Sequence, residues 1–300
     1  MLYFASISKG FRVSILIVAS SEPRAGKSLI AAAIAYRMAR DGRAVMLARL
    51  AGDDAADADA ATFAQLDGIV SASKPLTVAE LSGVPETTDL VLEVPAGAAN
   101  DLAAQLTAEV LAVATPTSPD VDASTVGAIV TRVRAADVPA IASRDGVIAV
   151  LPEDRVLAAP SVDDIARATE ARWLLEASPH GSIDRVMIGT IASDAGSPYF
   201  GARDHTAVIT RYDKTDVQLA ALLTDVDLLV LTGGGQPSPY LMDRVQGTRD
   251  DISVVVAAED TVDTMRAIEG LYGGSRFDGA GKMLRAVELL DEAGVPVSFD

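Results

Sequence analysis

Cysteine is absent from the 300 residues, which excludes disulfides, thiolate metal sites and cysteine nucleophiles. Histidine is nearly absent: His180 and His205 stand far apart. With no G-x-S-x-G elbow to pair with either, a Ser/His/Asp hydrolase has no visible nucleophile. Zinc lacks ligands of suitable type and spacing. Both histidines read as surface residues. Aromatic residues make up 4% of the chain, so the core has to be built from Ala, Val, Leu and Ile, which suits closely packed layers of helix and sheet. The one tryptophan, Trp173, reads as packing between domains. Positive charge is scarce too: 25 Lys and Arg face 42 Asp and Glu, a net charge of -17. A general nucleic-acid surface or a face for anionic membrane needs a basic footprint, and neither is expected. No apolar run approaches the roughly 18 residues of a membrane span. The apolar run near the start leads directly into the loop described below rather than to a cleavage pattern, so a cytoplasmic protein is expected, with residues 1–12 as an extension.

What is present is a rhythm of β-branched runs and Ala-rich stretches. Residues 13–19 read as a buried strand, 28–40 as a helix closed by Asp41-Gly42, and 44–50 as a second strand. Further strands are expected at 89–94, 110–114, 127–133 and 146–151, and a closing helix at 155–175. Strands joined by such crossovers indicate a parallel sheet with helices on both faces. The polar segment 177–185, which contains Pro179 and Gly181, reads as a linker. Beyond it a second, smaller α/β domain is expected over 186–274, with strands at 186–191, 206–210, 227–232 and 253–257, helices at 216–223 and 261–271, and a C-terminal helix in 275–300.

One motif carries chemistry. Ser21-Glu22-Pro23-Arg24-Ala25-Gly26-Lys27-Ser28 falls between the first strand and the first helix. Amides of such a loop, with the positive end of the helix behind them, converge on phosphate oxygens. Lys27 supplies a point charge for the outer phosphates, and the Ser28 hydroxyl can ligate Mg2+. Ser21 stands where the usual pattern has glycine, which narrows the loop. The expected fold class is therefore an α/β P-loop NTPase-type sheet binding ATP or another nucleotide.

Residues 13–176 resemble the dethiobiotin synthetase and cobyrinate amidotransferase branch of P-loop proteins, and most closely the related N-terminal region of long bacterial phosphate acetyltransferases. The resemblance rests on the phosphate loop, the acidic stretch after the second strand, the Asp89-Leu-Val-Leu-Glu93 strand, Thr131-Arg132-Val133 and Pro152-Glu153-Asp154-Arg155. It implies that Glu93 orients magnesium opposite Ser28, with Asp53 and Asp54 as further metal candidates in a loop that is equally well read as solvated. Thr131, Pro152 and Glu153 fall where the family reads the base. Two departures weaken the synthetase reaction more than nucleotide binding. Arg49-Leu50 replaces Lys-Pro, and a guanidinium does not act as the compact lysine does; Thr131 replaces asparagine.

Residues 186–272 resemble the DRTGG domain, which follows the P-loop region in long phosphate acetyltransferases and occurs in some regulated pyrophosphatases. Ile209-Thr-Arg-Tyr-Asp-Lys-Thr-Asp216, Leu229-Val-Leu-Thr-Gly-Gly-Gly235 and Glu259-Asp260-Thr261 carry the likeness. Asp213, Lys214, Asp216, Thr232, Gly233, Gly234 and Gly235 are the candidates for a ligand or an interface there. The glycines could free amides for an anion, while the aspartates serve equally as helix caps. The resemblance implies a homo-oligomer assembled through this domain. Three functions stay open: a nucleotide-binding regulator or sensor of a small phosphorylated ligand, an ATP-dependent ligase in which Lys27 is catalytic, and a scaffold with a vestigial loop. Phosphate acetyltransferase activity is not expected, because no room remains for its catalytic domain.

Overall fold

The computed structural model describes residues 15–117, 125–177, 181–190, 199–200, 206–248 and 251–296. It divides into two compact units at Glu153/Asp154 and Gly281/Lys282, with the C-terminal residues joining the first unit.

The first unit is built on a seven-stranded, wholly parallel sheet. In chain order its strands and helices are β1 (Ile15–Ala19), α1 (Lys27–Arg40), β2 (Val45–Arg49), α2 (Ala56–Phe63), β3 (Val70–Ser71), β4 (Asp89–Glu93), α3 (Ala99–Leu106), β5 (Glu109–Ala114), β6 (Gly127–Val133), α4 (Val138–Ala142) and β7 (Val147–Pro152). The strand order is β3-β2-β4-β1-β5-β6-β7. Strands covered on both faces read as unbroken apolar runs, and all five residues of β4 are buried. β1 lies between β4 and β5, with Ile17 level with Leu92 and Val110. That register brings the loop after β1 beside the end of β4. On one face Ile17, Leu90, Leu92 and Val94 pack with Leu81 and Leu102. Ala31, Ala32, Ala33 and Ala35 of α1 are fully buried, and these short side chains let the helix lie close to β1, β2 and β4.

The last helix of the chain, Ala280–Glu292, is fixed to the end of α1. Arg37 is buried and donates from Nε to Asp291 at 2.8 Å and from an Nη to the Val295 carbonyl at 2.6 Å. Arg40 adds a more exposed bond to the same carboxylate at 2.9 Å.

The second unit holds a five-stranded mixed sheet. Its elements are α5 (Arg155–Ala158), α6 (Val162–Ala168), β8 (Arg172–Leu175), β9 (Arg185–Ile188), β10 (Thr206–Arg211), α7 (Thr215–Leu222), β11 (Val226–Thr232), α8 (Pro239–Thr248), β12 (Ser253–Val256) and α9 (Thr261–Glu269). The order is β8-β12-β11-β10-β9, parallel except for β8, which runs antiparallel to β12. Alternate residues go to opposite faces: Val208, Leu229, Leu231 and Val254 meet Val217, Ala221 and Leu241, while Ala207, Ile209, Leu228 and Val230 meet Ile165 and Ile268.

Three expectations need correction here. Residues 155–175 are not one helix closing the first domain. Ala159-Pro160 breaks the stretch, since proline disfavours helix in the residue before it, and Ser161 opens α6 with a capping box to Asp164. Glu170 at φ 47 then ends that helix and releases β8. The whole segment belongs to the second unit, so the division falls before Asp154 rather than in the polar stretch 177–185. Trp173 accordingly packs on the Val162, Ile165 and Val255 cluster of its own unit rather than between domains.

Candidate functional site

The loop after β1 turns sharply into α1. Arg24 at φ 60 and Gly26 at φ 95 both sit in the left-handed region, which glycine enters freely and arginine only under constraint. Ser20 holds the entry of the loop, its Oγ accepting from the Glu22 amide at 3.0 Å and donating to the Glu22 carbonyl at 2.9 Å. The Glu22 carboxylate accepts from Thr115, at the end of β5, at 2.6 Å. From the next strand Thr131, itself buried, donates to the Ala25 carbonyl at 2.8 Å. The loop is thus pinned from β5 and β6. The first amide to find a partner in the helix is that of Ile30, on Gly26 at 3.0 Å. No side chain caps the helix, so the amides of Lys27, Ser28 and Leu29 remain the donors that any helix start leaves unpaired.

Lys27 and Ser28 both reach across to the end of β4. The Lys27 ammonium donates to the Val94 carbonyl at 3.1 Å and Ser28 Oγ to Glu93 Oε1 at 3.1 Å. Glu93 is 2% exposed, and burial pushes its carboxyl up to about 7, against the pull of Arg49, Lys27 and the Ser28 hydroxyl and with Asp59 adding to the rise. Burial lowers the Lys27 ammonium, assisted by Arg49 and opposed by Glu93, Asp53 and Asp59.

Arg49, at the end of β2, completes the cluster. It is 1% exposed, and Nη2 bonds both oxygens of Asp53 at 2.5 and 2.6 Å, Nε bonds Asp59 at 3.2 Å and Nη1 the Leu50 carbonyl at 2.7 Å. The same Nε lies 3.7 Å from Glu93 Oε2. Burial drags the guanidinium down, but Glu93, Asp53 and Asp59 outweigh it and leave Arg49 raised.

The sequence-expected residues Glu22, Ala25, Gly26, Lys27, Ser28, Glu93 and Thr131 come together here. Ser21 and Arg24 are exposed on the same loop, and Pro23 lies between them. Thr131 is engaged in holding the loop through the Ala25 carbonyl. Pro152 ends β7 and Glu153 follows it, three strands from β1 and so about 14 Å away. Asp53 is engaged by Arg49, and Asp54 is exposed; among the described residues no three Asp, Glu or His form a metal-holding group. Magnesium keeps several waters and asks for only one or two protein oxygens beside phosphates, so the adjoining Ser28 and Glu93 oxygens suit it without Asp53 or Asp54. The pairing of Arg49 with Asp59 is one that the sequence does not mark.

In the second unit the glycines serve packing. The Gly233 amide donates to the Glu259 carbonyl at 2.8 Å and that of Gly234 to the Ala257 carbonyl at 2.9 Å, so neither is free for an anion, contrary to expectation. A Cβ on Gly235 would come within 2.3 Å of the Tyr212 ring. Thr232 bonds Thr261 at 2.9 Å. Asp213 pairs with Arg211 at 2.9 Å, which lowers its carboxyl. Lys214 and Asp216 are exposed at the start of α7. His180 and His205 lie outside the described residues.

An α/β protein with a strand–loop–helix cradle beside a buried carboxylate, joined to a smaller mixed-sheet unit, is the class these features define. Residues 164–271 match the family model of the DRTGG domain, which overlaps most of the second unit. Among solved structures the chain is similar to the CBS and DRTGG domains of the regulatory region of Clostridium perfringens pyrophosphatase, crystallised with the activator diadenosine tetraphosphate. The identity is 19% and the TM-score 0.33, over 40% of this chain and 53% of that one. The chain thus spans about half the length of that structure.

No helix among the described residues is long and apolar enough to cross a membrane.

Proposed function

We propose that the first unit binds a nucleoside triphosphate, ATP with magnesium, and that the chain is a nucleotide-binding regulator in which this unit is coupled to a DRTGG-type module. The observation that carries the proposal is the convergence of Lys27, Ser28 and Glu93, with Ser28 3.1 Å from Glu93, at the start of a helix whose first amides are uncapped. In P-loop proteins the loop lysine cradles the outer phosphates while the loop hydroxyl and a carboxylate on a neighbouring strand hold the metal. Here Lys27 would leave the Val94 carbonyl for a phosphate oxygen, and the amides of residues 27–29 would receive the others. Magnesium, when bound, neutralises phosphate charge beside Ser28 and Glu93.

A regulator is favoured over a ligase by Arg49. In this chain the hydrogen bonds of its guanidinium go to Asp53, Asp59 and Leu50, so it offers nothing to a transferring group. Thermal shift with ATP, GTP and AMP, each with magnesium or with EDTA, tests the reading. Stabilisation by magnesium-ATP that is lost in Ser28→Ala supports it. No shift with any nucleotide contradicts it.

A further inference from the structure

We infer that Arg49 is a positioning residue that balances the charge of Glu93 while leaving one of its oxygens open for the water shell of magnesium. The inference rests on the nucleotide reading above. Glu93 Oε1 is engaged by Ser28, whereas Oε2 is buried and has no hydrogen-bond partner. A buried carboxylate oxygen with nothing to accept from is costly unless something arrives there. The nearest cation is Arg49, yet its Nε stops at 3.7 Å from Oε2, beyond hydrogen-bond reach.

The reason lies on the other side of the guanidinium. Asp59, on α2, takes the same Nε at 3.2 Å, and Asp53, on the loop before α2, takes Nη2 at 2.5 Å. Leu50 takes Nη1 at 2.7 Å. Two carboxylates therefore hold the guanidinium back, so that Glu93 feels its charge without accepting its proton. Coulombic attraction falls slowly with distance, while a hydrogen bond is lost within a few tenths of an ångström. Arg49 can thus set its positive charge against Glu93 without competing for the free oxygen. A lysine at this position could not do this, because a single ammonium cannot present a fork to two aspartates and face a third carboxylate.

The experiment measures ATP affinity by calorimetry with magnesium and with EDTA, for wild type, Arg49→Gln and Asp59→Ala. The quantity read is the ratio of the two dissociation constants. In Arg49→Gln the magnesium-induced tightening should fall by about tenfold while the affinity in EDTA moves by less than about threefold. Asp59→Ala sits on a helix that tolerates alanine and keeps Arg49 in place. It frees Nε to bond Glu93 Oε2 directly, so the magnesium advantage should fall there too. An unchanged ratio in Asp59→Ala overturns the inference, even if Arg49→Gln does not fold. Failure of wild type to bind ATP under either condition overturns the nucleotide reading itself, and this inference with it.

Discussion

Replacing Glu93 with glutamine should flatten a pH dependence that the wild-type first unit carries. Burial lifts the carboxyl from an ordinary 4.5 to about 7. An acid raised in this way holds its proton more tightly folded than unfolded. Its stabilising contribution is whole below about 4.5 and is lost as the pH climbs through about 7. At roughly 1.4 kcal/mol for each tenfold change in proton affinity, the loss comes to about 3 kcal/mol. Glutamine has the same shape and cannot titrate. The assay exploits Trp173, which lies in the second unit: its fluorescence follows that unit in urea, while far-UV circular dichroism follows both. Between pH 5 and 8 the dichroism transition of the first unit should move to lower urea in wild type and stay nearly fixed in Glu93→Gln, the tryptophan transition being alike in the two proteins. Parallel pH curves for both proteins would mean instead that Glu93 is ionised throughout.

Arg37→Ala should destabilise the first unit by about 2–3 kcal/mol, since it strips buried bonds from Asp291 and the Val295 carbonyl. Arg40→Ala, which breaks a half-exposed pair, should cost under about 1 kcal/mol in the same denaturation. Gly235→Ala should weaken the second unit by roughly 1–3 kcal/mol through collision with the Tyr212 ring, read by Trp173 fluorescence. Adding Tyr212→Gly should recover most of that loss, and failure to recover it would remove the collision as the cause.

How much of this could be read from sequence depended on whether the signal was local. β1, β4 and β6 are runs of β-branched and aliphatic residues, and within the described residues the expected spans differ from the observed ones by at most one residue. α1 showed itself through its alanines and the Asp41-Gly42 stop. β8 was missed because Arg172-Trp173-Leu174-Leu175 continues a helical-looking stretch, and the break depends on Pro160 and on Glu170 taking a conformation usually left to glycine. α2 lies in the Ala/Asp-rich segment, whose composition reads as loop. In the site, Lys27 and Ser28 could be read from the loop motif and Glu93 from the family resemblance, and the strand order places them side by side. The clamp on Arg49 could not be read so, because five aspartates crowd residues 53–67 and only the fold of α2 against β2 selects Asp53 and Asp59. The bond from Arg37 to Asp291 spans 254 residues, beyond any local pattern.

The nucleotide site proposed above requires the turn around Gly26 to cradle a polyphosphate. Calorimetric titration of magnesium-ATP into wild type and Lys27→Ala tests it most directly. Measurable binding by wild type that weakens at least about tenfold in the variant, with circular dichroism unchanged, is the predicted result. Equal affinity in the two proteins would mean that Lys27 holds no phosphate and that the turn is not a nucleotide site.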